Sequence, residues 1–194
     1  MHLRSSQPSK GNLNYGIIGN CKSSALINED SSIEWCCLPQ FDSASVFGKI
    51  LDDEIGGSFR IECDDSYKVY QKYLDKTAIL LTRFDNGNDV FQLLDFMPRY
   101  QKDNGVYYAP PEITRLVKVI KGNPLIKVLY DPRLEYAQGE TKNYVKDDFI
   151  VSVVDDERYD TLTLYTDLDK TSVLSGDEIK LDKDYFFKIS YNEK

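Results

Sequence analysis

The sequence predicts an all-β protein: an antiparallel sandwich of two sheets, supersandwich-like, with one short helix. Three observations lead there. Short apolar runs alternate with turns built from Gly, Pro, Asn and Asp. Several runs, such as Ala78-Ile79-Leu80-Leu81-Thr82, are apolar on both parities, so both faces must be covered. Long 3.6-residue periodicity is absent, which argues against helical bundles and doubly wound α/β folds.

The opening, Met1 to Leu13, is polar and reads as a flexible tail ahead of a sandwich over residues 14–194. Gly16-Ile17-Ile18-Gly19 reads as strand and turn. It is too apolar for a phosphate loop, and no Gly-Lys-Ser/Thr follows it. Ser24 to Asn28 and Ser32 to Leu38 flank a polar turn and read as a hairpin, with Ile33, Trp35 and Cys37 on one face. Ala44 to Leu51 is the one stretch with helical character. Thr77 to Phe84 and Asp89 to Phe96 flank Asp85-Asn86-Gly87-Asn88, where Gly supplies a positive φ at no steric cost. Gln101 to Pro111 reads as a long loop. Glu112 to Ile120 and Leu125 to Tyr130 form a third hairpin around Lys121-Gly122-Asn123-Pro124. Phe149 to Val154, Thr161 to Thr166 and Tyr185 to Tyr191 are the later strands. The last lies so near Lys194 that it suggests either a compact terminus or a piece of something longer.

The chain has 194 residues, with 32 acidic against 24 basic side chains and a formal net charge of −8. Such a surface repels phosphate backbones and anionic headgroups, so neither nucleic acid nor a membrane is expected as a partner. The one histidine is His2. Zinc sites built on imidazole, Ser-His-Asp triads and Cys-His dyads therefore lack a member, and no metal or cofactor is expected. No apolar run approaches the roughly 18 residues of a spanning helix, and the start lacks a signal peptide's apolar stretch. A cytoplasmic location follows as the expectation. Cys21, Cys36, Cys37 and Cys63 include no C-x-x-C pair and are read as reduced thiols, most of them in the core.

Asp95 and Arg115 are charged residues in apolar strands. Arg83 lies in a similar strand. A buried charge must be paired, so an Asp95–Arg ion pair is expected, with Arg115 taken as the partner. A catalytic role for Asp95 lacks a second carboxylate to face it. Asp131 and Arg133 suggest another pair near a sheet edge. Trp35, with apolar neighbours on its face, reads as core rather than as a stacking platform for sugar. The 14 Tyr and 9 Phe suit strands; an exposed patch of them would dock a domain, bind sugar or pair subunits.

Tyr15-Gly16-Ile17-Ile18-Gly19-Asn20-Cys21, then Asp30-Ser31-Ser32-Ile33-Glu34-Trp35-Cys36-Cys37-Leu38-Pro39 and Phe41-Asp42-Ser43, form a recognisable series. It resembles the opening of bacterial and archaeal glycoside hydrolase family 15 proteins, the glucoamylase and trehalase-like group, which begin with a trehalase-like N-terminal β-sandwich. The likeness continues through Tyr73-Leu74, Leu94-Asp95-Phe96-Met97-Pro98, Arg115-Leu116-Val117 and Lys121-Gly122, covering about Asn14 to Gly139. Asn20, Ser31, Glu34 and Gln40 depart from the family, which usually has Asp, Gly, Asp and Arg there. The Ser31 exchange costs little unless the turn holds that residue at positive φ.

The resemblance implies hydrolysis of an α-glucosidic bond with inversion by two carboxylates on a following (α/α)6 barrel. No such barrel lies in these residues. The implied role is the non-catalytic front domain, whose partner is the barrel of a parent chain acting on starch fragments, trehalose or another glucoside. Pro39, Gln40, Phe41, Asp42 and Ser43 would project from the sandwich, with Asp42 or Ser43 capping the helix from Ala44. That loop would dock on the barrel or line the rim of its α-glucoside pocket. The alternative is a stand-alone carbohydrate-binding module, which needs an exposed aromatic platform flanked by polar groups. A complete enzyme would need a carboxylate pair for which no motif is present.

Overall fold

A computed structural model describes residues 14–154 and 160–192. The expected tail, His2 included, lies outside the described residues. In chain order the strands are β1 (Tyr15–Gly19), β2 (Ser24–Asn28), β3 (Ile33–Cys37), β4 (Ser45–Phe47), β5 (Ser58–Glu62) and β6 (Lys68–Tyr73). Then come β7 (Leu80–Asp85), β8 (Val90–Phe96), β9 (Tyr100–Gln101), β10 (Tyr107–Tyr108), β11 (Glu112–Lys121) and β12 (Leu125–Asp131). The last are β13 (Thr141–Val145), β14 (Phe149–Val154), β15 (Thr161–Thr166), β16 (Glu178–Lys180) and β17 (Tyr185–Tyr191), with the helix α1 (Lys170–Ser175) between β15 and β16.

Two large antiparallel sheets form the body. One runs β1-β2-β3-β5-β12-β16, with β4 added to β3; the other runs β13-β14-β15-β17-β11-β8-β7-β6. Phe59, on the first sheet, meets Phe187, on the second, edge to face at 5.3 Å between ring centroids, and meets Tyr130 at 5.4 Å. Ile18, Ile27, Ile61, Val128, Phe91, Leu93, Val117 and Ile189 are buried with them, so the core lies between the sheets. Gly16 lets the sheets close here: a Cβ at that position would stand 2.4 Å from Leu80 Cδ2.

The expected helix over Ala44 to Leu51 is corrected. Ser45–Phe47 is strand β4, paired with β3 through Cys36 opposite Phe47 and Cys37 opposite Ser45. Ser45, Val46 and Phe47 are all buried, and that tertiary burial overrides the local helical bias. The short helix is α1 instead. The Asp169 carboxylate accepts from the Ser172 N–H at 2.8 Å, and Gly176 ends the helix at φ 70°. That backbone hydrogen bond, with one from the Ser172 hydroxyl, holds the Asp169 carboxyl below the usual range. The expected loop over Gln101 to Pro111 also carries a hairpin, β9 with β10, outside both sheets. The expected hairpin of Glu112 to Ile120 with Leu125 to Tyr130 is corrected: the Lys121-Gly122-Asn123-Pro124 turn carries the chain from one sheet to the other, β11 pairing with β8 and β17 and β12 with β5 and β16. Among the described residues no helix is long and apolar enough to cross a membrane.

Cross-strand pairing sets Asp95 on β8 directly opposite Arg115 on β11, and both are 0% exposed. Arg115 Nε donates to Asp95 Oδ1 at 2.8 Å, and its Nη2 donates to Oδ2 at 3.2 Å. Nη1 donates to the Phe59 carbonyl at 2.9 Å, Nη2 also donates to the Ser31 carbonyl, and the guanidinium lies 4.8 Å from the Phe59 ring. Burial pushes the Asp95 carboxyl up, while the Arg115 charge pulls it back. Because Phe59 lies on the first sheet, Ser31 in the turn joining its strands β2 and β3, and the ion pair on the second sheet, the guanidinium ties the two sheets together.

At the edge where β1 meets β6, the Tyr73 hydroxyl accepts from the Ile17 N–H at 2.7 Å and donates to the Ile17 carbonyl at 2.9 Å. The middle of the outer edge of β1 is thus occupied by a side chain from the other sheet.

Removing one member of the buried pair leaves an uncompensated charge, so Asp95→Ala and Arg115→Met each lower stability by about 3–5 kcal/mol in urea unfolding. Ser31 sits at φ 67°, fully buried, and its Oγ lacks a hydrogen-bond partner. Ser31→Gly removes both the backbone strain and the orphaned hydroxyl. It raises the unfolding free energy by about 1 kcal/mol in the same measurement, after the entropic cost of the glycine.

Candidate functional site

Antiparallel pairing gathers the ends of β1, β3, β8, β12 and β17 with the starts of β2, β5, β11 and β15. The two sheets meet at this end through Asn20, whose Nδ2 donates to the Pro110 carbonyl at 2.9 Å. Asn20 Oδ1 accepts from the Lys22 and Ser23 N–H groups, both at 3.1 Å. An amide serves both needs, whereas an ionised Asp has no donor for Pro110.

The segment Pro39, Gln40, Phe41, Asp42 and Ser43 leaves β3 at this end. Phe41 N donates to the Lys22 carbonyl at 3.0 Å. Gln40 N donates to Ser43 Oγ at 3.1 Å, and Ser43 N donates to the Gln40 carbonyl at 3.2 Å. Ser43 therefore closes a turn; with no helix following, neither it nor Asp42 is a helix cap. Gln40 and Asp42 are exposed, and the Phe41 ring is 60% exposed.

Beside this turn stands Glu135–Ala137, a one-turn 3₁₀ helix. Glu135, Tyr136 and Ala137 have φ of 54°, 56° and 58°, a left-handed run that costs L-residues roughly 1–2 kcal/mol each. It presents Tyr136 at 48% exposure with its hydroxyl donating to the Ser43 carbonyl at 3.2 Å. The next wall is the connection from β4 to β5. Asp52 Oδ1 accepts from Glu54 N and Ile55 N at 2.9 and 3.1 Å, which fixes the turn carrying Leu51 (71% exposed) and Ile55 (56%). Gly56 N donates to the Asp52 carbonyl at 3.0 Å, and a Cβ on Gly56 would overlap Gly48. Leu51, Ile55, Tyr136 and Ala137 enclose a cleft of about 60 Å³. The result is an apolar rim held by backbone bonds, suited to contact rather than to proton transfer.

Trp35 is corrected from a core residue to the outer face. The register between β2 and β3 shifts, with Ile33 opposite Ile27 but Trp35 opposite Leu26, so Glu34 is an extra residue in β3. The shift turns Cys36, not Trp35, inward alongside Ile33, and Trp35 is half-buried. The Glu34 carboxylate accepts from the Tyr15 hydroxyl at 2.6 Å and from Asn28 Nδ2 at 2.9 Å. Burial and that bond push the Tyr15 phenol up. Cys36 and Cys37 are buried, Cys63 partly so, and Cys21 is exposed; burial pushes the Cys36 thiol up. Arg133 Nε donates to Asp131 Oδ1 at 2.9 Å at the end of β12.

A wider concavity of about 840 Å³, open to water, lies elsewhere between residues 145–149 and 167–171. Among the described residues no group of three or more His, Cys, Asp and Glu is arranged to hold a metal ion. Sequence reasoning singled out Phe41 and its neighbours and missed Leu51, Ile55 and Tyr136. Two apolar residues flanking Asp52-Asp53-Glu54 were the available signal; nothing in Glu135-Tyr136-Ala137 announces a left-handed turn.

Residues 11–159 match the family described as trehalase-like, N-terminal. Trehalase 2 of Sulfolobus acidocaldarius is 38% identical over 131 residues, covering 67% of this chain and 21% of that protein. The trehalase of Thermoplasma volcanium is 35% identical over 129 residues, 65% of this chain and 20% of the relative. The trehalase of Mycolicibacterium smegmatis is 41% identical over 69 residues, 35% of this chain and 10% of the relative. The chain thus spans about a fifth of the length of the first two relatives. No solved structure matches it.

Asn20→Asp sets a carboxylate against the Pro110 carbonyl and removes that carbonyl's donor. Thermal and urea unfolding of the variant should show a loss of about 1–3 kcal/mol.

Proposed function

Because this chain belongs to the trehalase-like N-terminal domain family, we propose that it is the non-catalytic sandwich of a trehalase- or glucoamylase-like hydrolase of glycoside hydrolase family 15. It packs on the catalytic (α/α)6 barrel of the parent protein. Its Pro39–Ser43 turn reaches the rim of the barrel's pocket, where α-glucosides bind. The parent works in the cytoplasm on an O-glycosyl bond, and the general acid and general base come from the barrel.

The observation that carries the reading is the exposed Phe41 turn, pinned by Lys22 and Tyr136, in a domain that matches only about a fifth of its trehalase relatives. A stand-alone carbohydrate-binding module is the competing reading. The half-buried Trp35, on the outer face near Tyr15, Asn28 and Glu34, is the feature in its favour.

The test is co-expression of this chain with Sulfolobus acidocaldarius trehalase 2 from which the matched segment has been removed. Co-purification together with trehalose hydrolysis supports the role, and their absence overturns it. Glucose release from trehalose by the 194-residue chain alone overturns the non-catalytic assignment. A change in Trp35 fluorescence on titration with trehalose or maltooligosaccharides favours the binding module.

A further inference from the structure

We infer that Leu51, Ile55 and Tyr136, with Phe41 beside them, are the seat on which the catalytic domain of a trehalase-type partner docks. This rests on the role proposed above and names the surface and the chemistry that it selects. All four side chains are large, apolar and 48–71% exposed. Leu51, Ile55 and Tyr136 line one cleft, and Phe41 rides on the turn whose Ser43 carbonyl accepts from the Tyr136 hydroxyl. Scattered apolar residues on a surface are ordinary, but a cluster around a preformed cleft marks a contact surface.

The seat is rigid before any partner arrives. Tyr136 is aimed by the left-handed turn and its bond to Ser43, and Leu51 and Ile55 by the Asp52 turn. Little backbone freedom remains to be lost on contact.

Charge selects the occupant. Asp52, Asp53 and Glu54, all exposed, lie between Leu51 and Ile55, and exposed Asp42 follows Phe41. Half-buried Lys49 and exposed Lys22, whose carbonyl accepts from Phe41 N, stand against these four carboxylates and leave the border acidic. A second copy of this chain would bring like charges face to face, in a protein whose net charge is already −8. The fitting occupant is an apolar ridge on the catalytic domain, bordered by Lys or Arg.

The experiment uses the same co-expressed pair. Leu51→Glu and Tyr136→Ser are compared with Tyr144→Ser, a control on the exposed edge strand β13. Thermal melts of each free chain report its fold. The seat variants should melt like the parent chain yet bind at least about tenfold more weakly, with the control unchanged. Binding should also weaken as salt rises from about 0.05 to 0.5 M. A pair that forms with the parent chain and equally with both seat variants overturns the seat while leaving the proposed role standing. Salt-independent binding overturns the charged border. Failure of the parent chain to bind overturns the role and the seat together. A dimer of the parent chain in sedimentation, broken by Leu51→Glu, assigns the rim to self-association and overturns the partner.

Discussion

A guanidinium with no exposed surface must find acceptors for its N–H groups, because it cannot shed its charge at any ordinary pH. Arg115 meets that demand with a carboxylate from its own sheet and two carbonyls, one from the opposite sheet and one from the turn joining its strands β2 and β3. The geometry constrains much around it. β8 and β11 must hold the register that sets Asp95 opposite Arg115, β5 must present the Phe59 carbonyl inward, and the turn before β3 must direct the Ser31 carbonyl at the same nitrogen that binds Asp95 Oδ2. The last requirement explains a conformation that no serine favours: positive φ at a buried position with an idle hydroxyl. The apolar core supplies most of the driving force, but it is non-directional. The ion pair and its carbonyls distinguish this pairing of sheets from one slipped by a residue.

Much of this architecture is legible along the chain. The polar turn before β3 and the Asn-Gly turn mark two hairpins, β2 with β3 and β7 with β8, whereas the Gly-Asn-Pro turn after β11 gives no sign that it changes sheets. Runs apolar on both parities announce a second sheet, and an Asp and an Arg in neighbouring apolar strands invite pairing. The partners that complete the guanidinium are backbone carbonyls far along the chain, and no side chain advertises them. The failures have the same origin. Ser45-Val46-Phe47 has some helical character by itself and becomes a strand because β3 offers it a ladder and a buried position. Trp35 alternates correctly with Ile33 only if β3 is regular, and one inserted residue, Glu34, reverses the inward face. A bulge leaves no composition mark that periodicity can detect.

The candidate site was half readable for a related reason. The turn around Phe41 follows a strand and carries a resemblance, so it draws attention. Leu51, Ile55 and Tyr136 gain meaning only when separate connections converge. Their rigidity comes from an Asx turn, a close Gly48–Gly56 approach and a left-handed run of ordinary residues, each of them local strain or shape that tertiary packing sustains. The departure at position 20 is informative in the same way: an amide there joins two connections that a carboxylate would push apart.

The phenol of Tyr73, placed across the peptide group of Ile17, has a consequence for chain growth. A strand joining β1 from outside would need that N–H and that C=O as its central rung, and both already have partners. A fibril or a swapped neighbour therefore finds the middle rung of this margin already taken. One aromatic hydroxyl from the opposite sheet thus interrupts the side along which β1 would otherwise invite an acidic, strand-rich polypeptide to propagate.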